Sequence, residues 1–155
     1  MTPDQKGSVA ELAIIHHAAR LGIGVLKPLT DGHRYDLAFD LGAQLVRVQC
    51  KAAAHFGDVI VVSFQSCRRS ATGFVRRSYS AEEVDLIAAH CIELDRCYLF
   101  TPKLFDGKPE IRLRLTPTKN NQRKRINWAK DFELAATLRA LGAVAQLGER
   151  LAGSQ

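Results

Sequence analysis

Between His33 and Ala53 the chain alternates apolar and polar residues twice over, in the run HRYDLAFDLGAQLVRVQCKAA. Tyr35, Leu37 and Phe39 alternate with Asp36, Ala38 and Asp40. Val46, Val48 and Cys50 alternate in the same way with Leu45, Arg47, Gln49 and Lys51. A period of two is the signature of half-buried strands. Gly42-Ala43 supplies a two-residue turn between them, because glycine accepts positive φ at the first turn position. That turn sets Leu41 opposite Gln44 and, counting back, Asp36 opposite Gln49. Paired residues share a face of a sheet. Asp36, Gln49 and Lys51 are therefore expected together on one face, with the apolar set on the other.

A helix is predicted before this hairpin, over residues 3–21. Thr2 suits the N-cap, Pro3 the first helical position, and Asp4 the positive end of the helix dipole. Val9, Leu12, Ala13, Ile15 and Ala19 mark its apolar stripe, and Glu11 falls near the edge of that stripe. Gly22 and Gly24 end the helix and lead to a short strand near Val25-Leu26-Lys27, after which Pro28 forces a loop. Asp31 in that loop reads as a turn residue, and His33 and Arg34 stand beside the hairpin's polar face. His16 and His17 read as ordinary helix residues without ligand spacing.

Beyond the hairpin, Val59 to Phe64 is a strand expected to lie along one edge of Leu45–Ala52 and so make it central. QSCRRSATGFVRRSYS reads as a long loop or irregular hairpin, and Ser80 to Glu83 as a helical turn. Val84 to Cys91 is a buried strand carrying Asp85 and His90, both candidates for catalytic groups by residue type. Asp95-Arg96 makes a turn into a further strand, CYLF. TPKLFDGKPE reads as a loop, Ile111 to Leu115 as a half-exposed edge strand, and Trp128 as the core anchor of a final helix from Ala129 to Leu141.

With 155 residues and 46% hydrophobic content, the chain is long enough for one core, placed in residues 1–140. The tail, 141–155, contains GAVAQLGERLAGSQ, which resembles a translated 5′ half of a bacterial tRNA gene. It is expected not to have been shaped by protein function; a coding region without tRNA-folding potential would overturn that. No apolar run approaches the roughly 18 residues of a membrane span, and no signal peptide is evident. A cytoplasmic, membrane-free location is expected. Cys50, Cys67, Cys91 and Cys97 lack Cys-x-x-Cys spacing, which favours reduced thiols over a zinc or disulfide framework. The net charge of +6 suits a polyanionic partner.

A lysine in a strand interior needs an anionic partner, and Glu11 on the packing side of its helix needs a cation, for which Lys51 or a metal would serve. An acid on a helix, an Asp on a strand and Gln-x-Lys on the next strand together resemble the PD-(D/E)XK nuclease superfamily in its Gln-x-Lys variant. Within it the chain is similar to the small homing endonucleases encoded in bacterial group I introns. The resemblance covers roughly Lys6 to Phe100, with Gln49 departing from the commoner acid. It implies an α/β, restriction-endonuclease-like core: a central mixed β-sheet with an antiparallel active-site hairpin, flanked by helices. It also implies a Mg²⁺-dependent DNA endonuclease, with Mn²⁺ as a substitute ion. Asp36 would be the main carboxylate ligand, Gln49 a neutral carbonyl ligand, and Glu11 a direct or water-mediated one. Lys51 would orient the attacking water or stabilise the pentavalent phosphate.

Beside such a site, Arg68, Arg69, Arg76 and Arg77 form an arm for double-stranded DNA, and Lys119, Arg123, Lys124 and Arg125 form a second basic element. Cutting a duplex takes two active sites, so a homodimer or homotetramer is expected. Three competing readings share these features. They are a Holliday-junction-resolvase-like nuclease, a non-catalytic nucleic-acid-binding protein retaining the fold, and an RNA-processing nuclease. Cleavage of a synthetic four-way junction, a linear duplex and structured RNA distinguishes them.

Overall fold

The computed structural model describes residues 1–120 and 124–143, so the tail beyond Ala143 lies outside the described residues. In chain order the elements are helix α1 (Pro3–Arg20) and strands β1 (Gly24–Leu26), β2 (Leu37–Asp40), β3 (Leu45–Ala52), β4 (Ala54–Phe56), β5 (Val59–Ser63), β6 (Gln65–Ser70), β7 (Gly73–Ser78), β8 (Leu86–Cys91) and β9 (Arg96–Phe100). A helical turn α2 (Pro102–Phe105), strand β10 (Glu110–Arg114), a 3₁₀ turn (Ala129–Phe132) and helix α3 (Leu134–Ala140) follow.

The hairpin forms in the expected register. Leu41 donates to the Gln44 carbonyl at 3.0 Å and Gly42 takes φ +91°, with Phe39 facing Val46 and Leu37 facing Val48. The central sheet has the order β1-β2-β3-β8-β9. β3 is interior, but its second neighbour is β8, in parallel, rather than Val59–Phe64. β5 instead belongs to a separate sheet of order β10-β5-β4. A parallel pair needs a long crossover, and β4 to β7 are that crossover. Asp85 fixes the start of the parallel pair: its carboxylate accepts from the Arg47 amide at 2.7 Å and its guanidinium at 3.1 Å, while its own amide donates to the Arg47 carbonyl. Burial pushes the Asp85 carboxyl up, but the Arg47 bonds outweigh it and hold the group below its ordinary range. These bonds tie β8 to β3 and give Asp85 a structural role.

Two cores lie on opposite faces of the central sheet. One joins Ile14 and Ala18 of α1 to Leu37, Phe39, Val46, Val48, Ala88 and Leu99, with Leu134 and Leu138 of α3 beside them. The Thr137 hydroxyl secures α3 by donating to the Leu99 carbonyl at 2.9 Å. The other joins Ile87, Ala89, Tyr98 and Phe100 to Ile60, Val62, Ile111 and Leu113 of the three-stranded sheet. Helices thus flank one face of the central sheet and a second sheet covers the other.

Several expectations are corrected. The buried stripe of α1 is Ala10, Ile14 and Ala18, whereas Leu12 is 66% exposed; the helix is rotated so that partly buried Glu11 borders the packing face. Residues 65–78 form a regular two-stranded ribbon, β6 against β7. The segment TPKLFDGKPE holds α2, whose Phe105 is fully buried. Trp128 is half-buried, and Ala129, Leu134 and Leu138 make the core contacts there. No helix among the described residues is long and apolar enough to cross a membrane.

The rotation of α1 has a measurable consequence. Ile14→Ala should cost about 2–5 kcal/mol in urea denaturation, as buried isoleucine truncations do, whereas Leu12→Ala should change stability by about 0.5 kcal/mol or less. Similar losses for the two variants would contradict the packing face assigned here.

Candidate active site

β3 divides its side chains between the two cores. Val46 and Val48 turn toward α1, and Cys50 packs against the same cluster; by strand alternation Arg47, Gln49 and Lys51 turn to the opposite face. The ladder with β2 ends at Leu37–Val48. One residue earlier, the Asp36 amide bonds the Val48 carbonyl at 2.9 Å rather than pairing with Gln49, so the regular register stops just short of the expected Asp36–Gln49 pair. There the Asp36 carboxylate accepts the Cys50 amide at 3.0 Å. The side chain thus occupies a hydrogen-bonding position at the strand edge.

That carboxylate carries an electrostatic penalty. Burial pushes its pKa up, the Cys50 amide works against the rise, the charge of Glu11 adds to it, and Lys51 and Lys27 oppose it. Glu11, Lys27 and Lys51 are therefore all felt by Asp36. Glu11 is paired by Lys27, just beyond β1, rather than by Lys51. This pairing raises the Lys27 pKa, chiefly through the hydrogen bond to Glu11.

The Lys51 ammonium donates to the Gln65 carbonyl at 2.6 Å and stands 5.1 Å from the centre of the Tyr79 ring. Burial lowers its pKa, Asp36 opposes that, and Arg34 adds to it. Gln49 is half-buried, and its amide nitrogen makes a long 3.5 Å contact with the Cys50 carbonyl. Its side-chain carbonyl remains a neutral oxygen donor in chemical type.

Three neighbours had little or no warning in the sequence. Arg34 stacks over Tyr79 at 4.0 Å and donates to Glu83 and to the Ser66 hydroxyl, both at 2.8 Å, and to the Ser78 carbonyl at 3.3 Å. Arg34 was seen only as a residue beside the site; Tyr79 and Glu83 gave no signal beyond a capping-type spacing from Ser80 to Glu83. Together with Lys51 on Gln65, these contacts fasten the root of the β6–β7 ribbon to the hairpin. His33 points elsewhere, bonding Thr30 at 2.8 Å.

The ribbon itself has exposed residues along both strands. Cross-strand pairing aligns Cys67 with Arg76 and Arg69 with Phe74, so Arg69, Arg76 and Phe74 share one face. Arg68 lies on the other face, with Arg77, which is engaged by Glu83 at 2.9 Å. Lys119, Lys124 and Arg125 are exposed on the segment after β10; Arg123 lies outside the described residues.

Asp36, Glu11 and Gln49 offer hard oxygen donors, the type that Mg²⁺ and Mn²⁺ take. A half-buried carboxylate whose pKa is raised by burial and by a second carboxylate is short of positive charge. The donor chemistry and this deficit both fit a divalent cation.

Among solved structures, the chain is similar to a bacterial homing endonuclease, I-Ssp6803I, at 32% identity and a TM-score of 0.73, covering 94% of this chain and 98% of that one. MepB is a remote match, at 18% identity and a TM-score of 0.38 over 73% of this chain and 85% of that one, and carries no argument. No curated protein matches. The family model for PD-(D/E)XK endonuclease matches residues 1–135. The chain belongs to the PD-(D/E)XK endonuclease family.

Proposed function

We propose that the protein is a Mg²⁺-dependent endonuclease hydrolysing phosphodiester bonds in double-stranded DNA, in the manner of a homing endonuclease and as a homodimer or homotetramer. The observation that carries this reading is the Asp36 carboxylate, held on the Cys50 amide at 3.0 Å and short of positive charge. Asp36 would be the principal ligand, Gln49 would add a carbonyl oxygen, and Glu11 would contribute once released from Lys27. The bound ion would neutralise charge developing on the phosphate and activate the attacking water.

Lys51 stays fixed by Gln65 and donates hydrogen bonds toward the attacking water or a phosphate oxygen. Burial lowers its pKa, which makes the ammonium a readier proton donor than an exposed lysine. The β6–β7 ribbon supports the DNA reading, since a two-stranded ribbon fits the major groove. Arg69 and Arg76 on one face, and Arg68 on the other, offer contacts to phosphate or guanine. Lys119, Arg123, Lys124 and Arg125 would add phosphate contacts. Two sites on symmetry-related subunits would cut the two strands.

Three outcomes test this reading. Asp36→Ala should abolish Mg²⁺-dependent cleavage of duplex DNA while leaving DNA binding intact in a mobility-shift assay; cleavage equal to the parent's would refute the site.

The raised pKa of Asp36 makes a second test. Its ionised form is disfavoured by the fold, so the charge costs stability above the raised pKa, and the cost disappears below the unfolded value of about 3.9. Asp36→Asn, which can still accept the Cys50 amide, should melt higher than the parent at neutral pH, and the gap should close as the pH falls. Mg²⁺ should raise the melting temperature of the parent and not that of the variant. A lower-melting variant at neutral pH, or the same response to Mg²⁺, would contradict this account.

Finally, Arg69→Ala and Arg76→Ala should each weaken binding and reduce the slope of log affinity against log salt by about one. An unchanged slope would remove the ribbon from the interface.

A further inference from the structure

The end of the β8–β9 hairpin carries a second constellation, of different chemistry. His90 and Cys97 are directly paired across these strands, and both are 96% buried on the side that packs against α1. His17 reaches the same place from α1. One donor atom from each of His17, His90 and Cys97 lies within 4.8 Å of the others. Asp95, held at φ +47° in the turn, accepts from or bonds both rings through one oxygen, 2.9 Å from His90 Nε2 and 3.2 Å from His17 Nε2.

A carboxylate oxygen accepts, so the bond to Asp95 places the proton of His90 on Nε2. His90 Nδ1 is then a bare lone pair, and it is buried without a hydrogen-bond partner. Buried nitrogens of this kind are seldom left unpartnered. A histidine that gives one nitrogen to a carboxylate and keeps the other for a metal is the usual arrangement at zinc sites.

We propose that His17, His90 and Cys97 bind a borderline divalent cation of the Zn²⁺ type, with Asp95 orienting the imidazoles. Two imidazoles and a thiolate suit Zn²⁺, whereas Mg²⁺ takes oxygen donors. The site would therefore be chemically separate from the oxygen-donor site around Asp36. Tetrahedral zinc has donor–donor edges of roughly 3.3–3.8 Å, so closing a cluster whose donors lie within 4.8 Å of one another takes a contraction of at most about 1.5 Å. Binding would release the Cys97 thiol proton to solvent as the thiolate–metal bond forms. The bound ion would join α1, which carries Glu11, to the β8–β9 hairpin. Sequence spacing does not reveal such a site because its donors come from three separated elements.

Cobalt is the probe. The full chain, stripped with chelator and given one equivalent of Co²⁺ in Mg²⁺ buffer, should develop visible d–d bands and a near-ultraviolet thiolate-to-cobalt band, both displaced by Zn²⁺. The thiolate band should persist in Asp36→Ala and in Cys91→Ser, and disappear in Cys97→Ser. Cys91→Ser is the needed control because His55, Cys91 and Glu93 form a second three-donor group nearby. His17→Gln, on a partly exposed helix position, should weaken Co²⁺ binding by roughly tenfold or more while keeping the parent's circular dichroism. No band at one equivalent, a thiolate band surviving Cys97→Ser, loss in Cys91→Ser, or parent-like affinity in a folded His17→Gln would each overturn the proposal.

Discussion

A carboxylate resting on a backbone amide governs the site. Where the β2–β3 ladder gives out, the Cys50 N–H needs an acceptor, and Asp36 supplies it at 3.0 Å. That bond fixes the position of one acid to within the tolerance of a hydrogen bond. It also holds the acid where water is partly excluded, and one amide dipole does not make good the lost hydration, so the pKa rises. Position and charge deficit thus have a common origin. Replacing the carboxylate by a neutral acceptor would relieve the fold and leave nothing there with a full negative charge for a cation.

The parallel junction of β3 and β8 makes this arrangement possible. Because β8 is buried along its whole length, β3 is interior and its two faces see two cores. The α1 face is apolar, and Glu11 comes to the site along the rim of that helix. The opposite face carries Lys51 toward Gln65 at the beginning of β6 and toward Tyr79 just after β7. The crossover required by a parallel pair contains the β6–β7 ribbon, whose root is gripped by Arg34 and Lys51. A ribbon held in this way cannot shift without pulling on side chains adjoining Asp36.

The hairpin was legible because its information is local. Alternation over Tyr35–Cys50 and a glycine turn suffice to fix the register as far as Leu37–Val48. The Thr2 N-cap likewise acts within one turn of helix, although its partner Gln5 was not foreseen. Legibility ended where long-range packing decides. Leu12 and Ile14 are equally plausible apolar positions on a helix rich in aliphatic residues, and the sheet beneath selects Ile14. The neighbour of β3 was misassigned because Val59–Phe64 and Leu86–Cys91 are both apolar runs, and only the tertiary arrangement separates them. Lys27 as the partner of Glu11, and Arg34 over Tyr79, join residues from separate elements that no spacing rule connects.

The partners of the charged groups give the site a direction. Glu11 is neutralised by Lys27, whose side chain is largely exposed; Lys27 can return to water at little cost, and the partly buried Glu11 carboxylate it leaves then needs another cation. Lys51 is half-buried and held by a carbonyl, and Arg34 has four interactions, so neither can withdraw as cheaply. An incoming divalent ion would therefore compete with Lys27 for Glu11, while Lys51 and Arg34 remained where they are. The cations around the site divide accordingly into one that can be exchanged, Lys27, and two that are built in, Lys51 and Arg34.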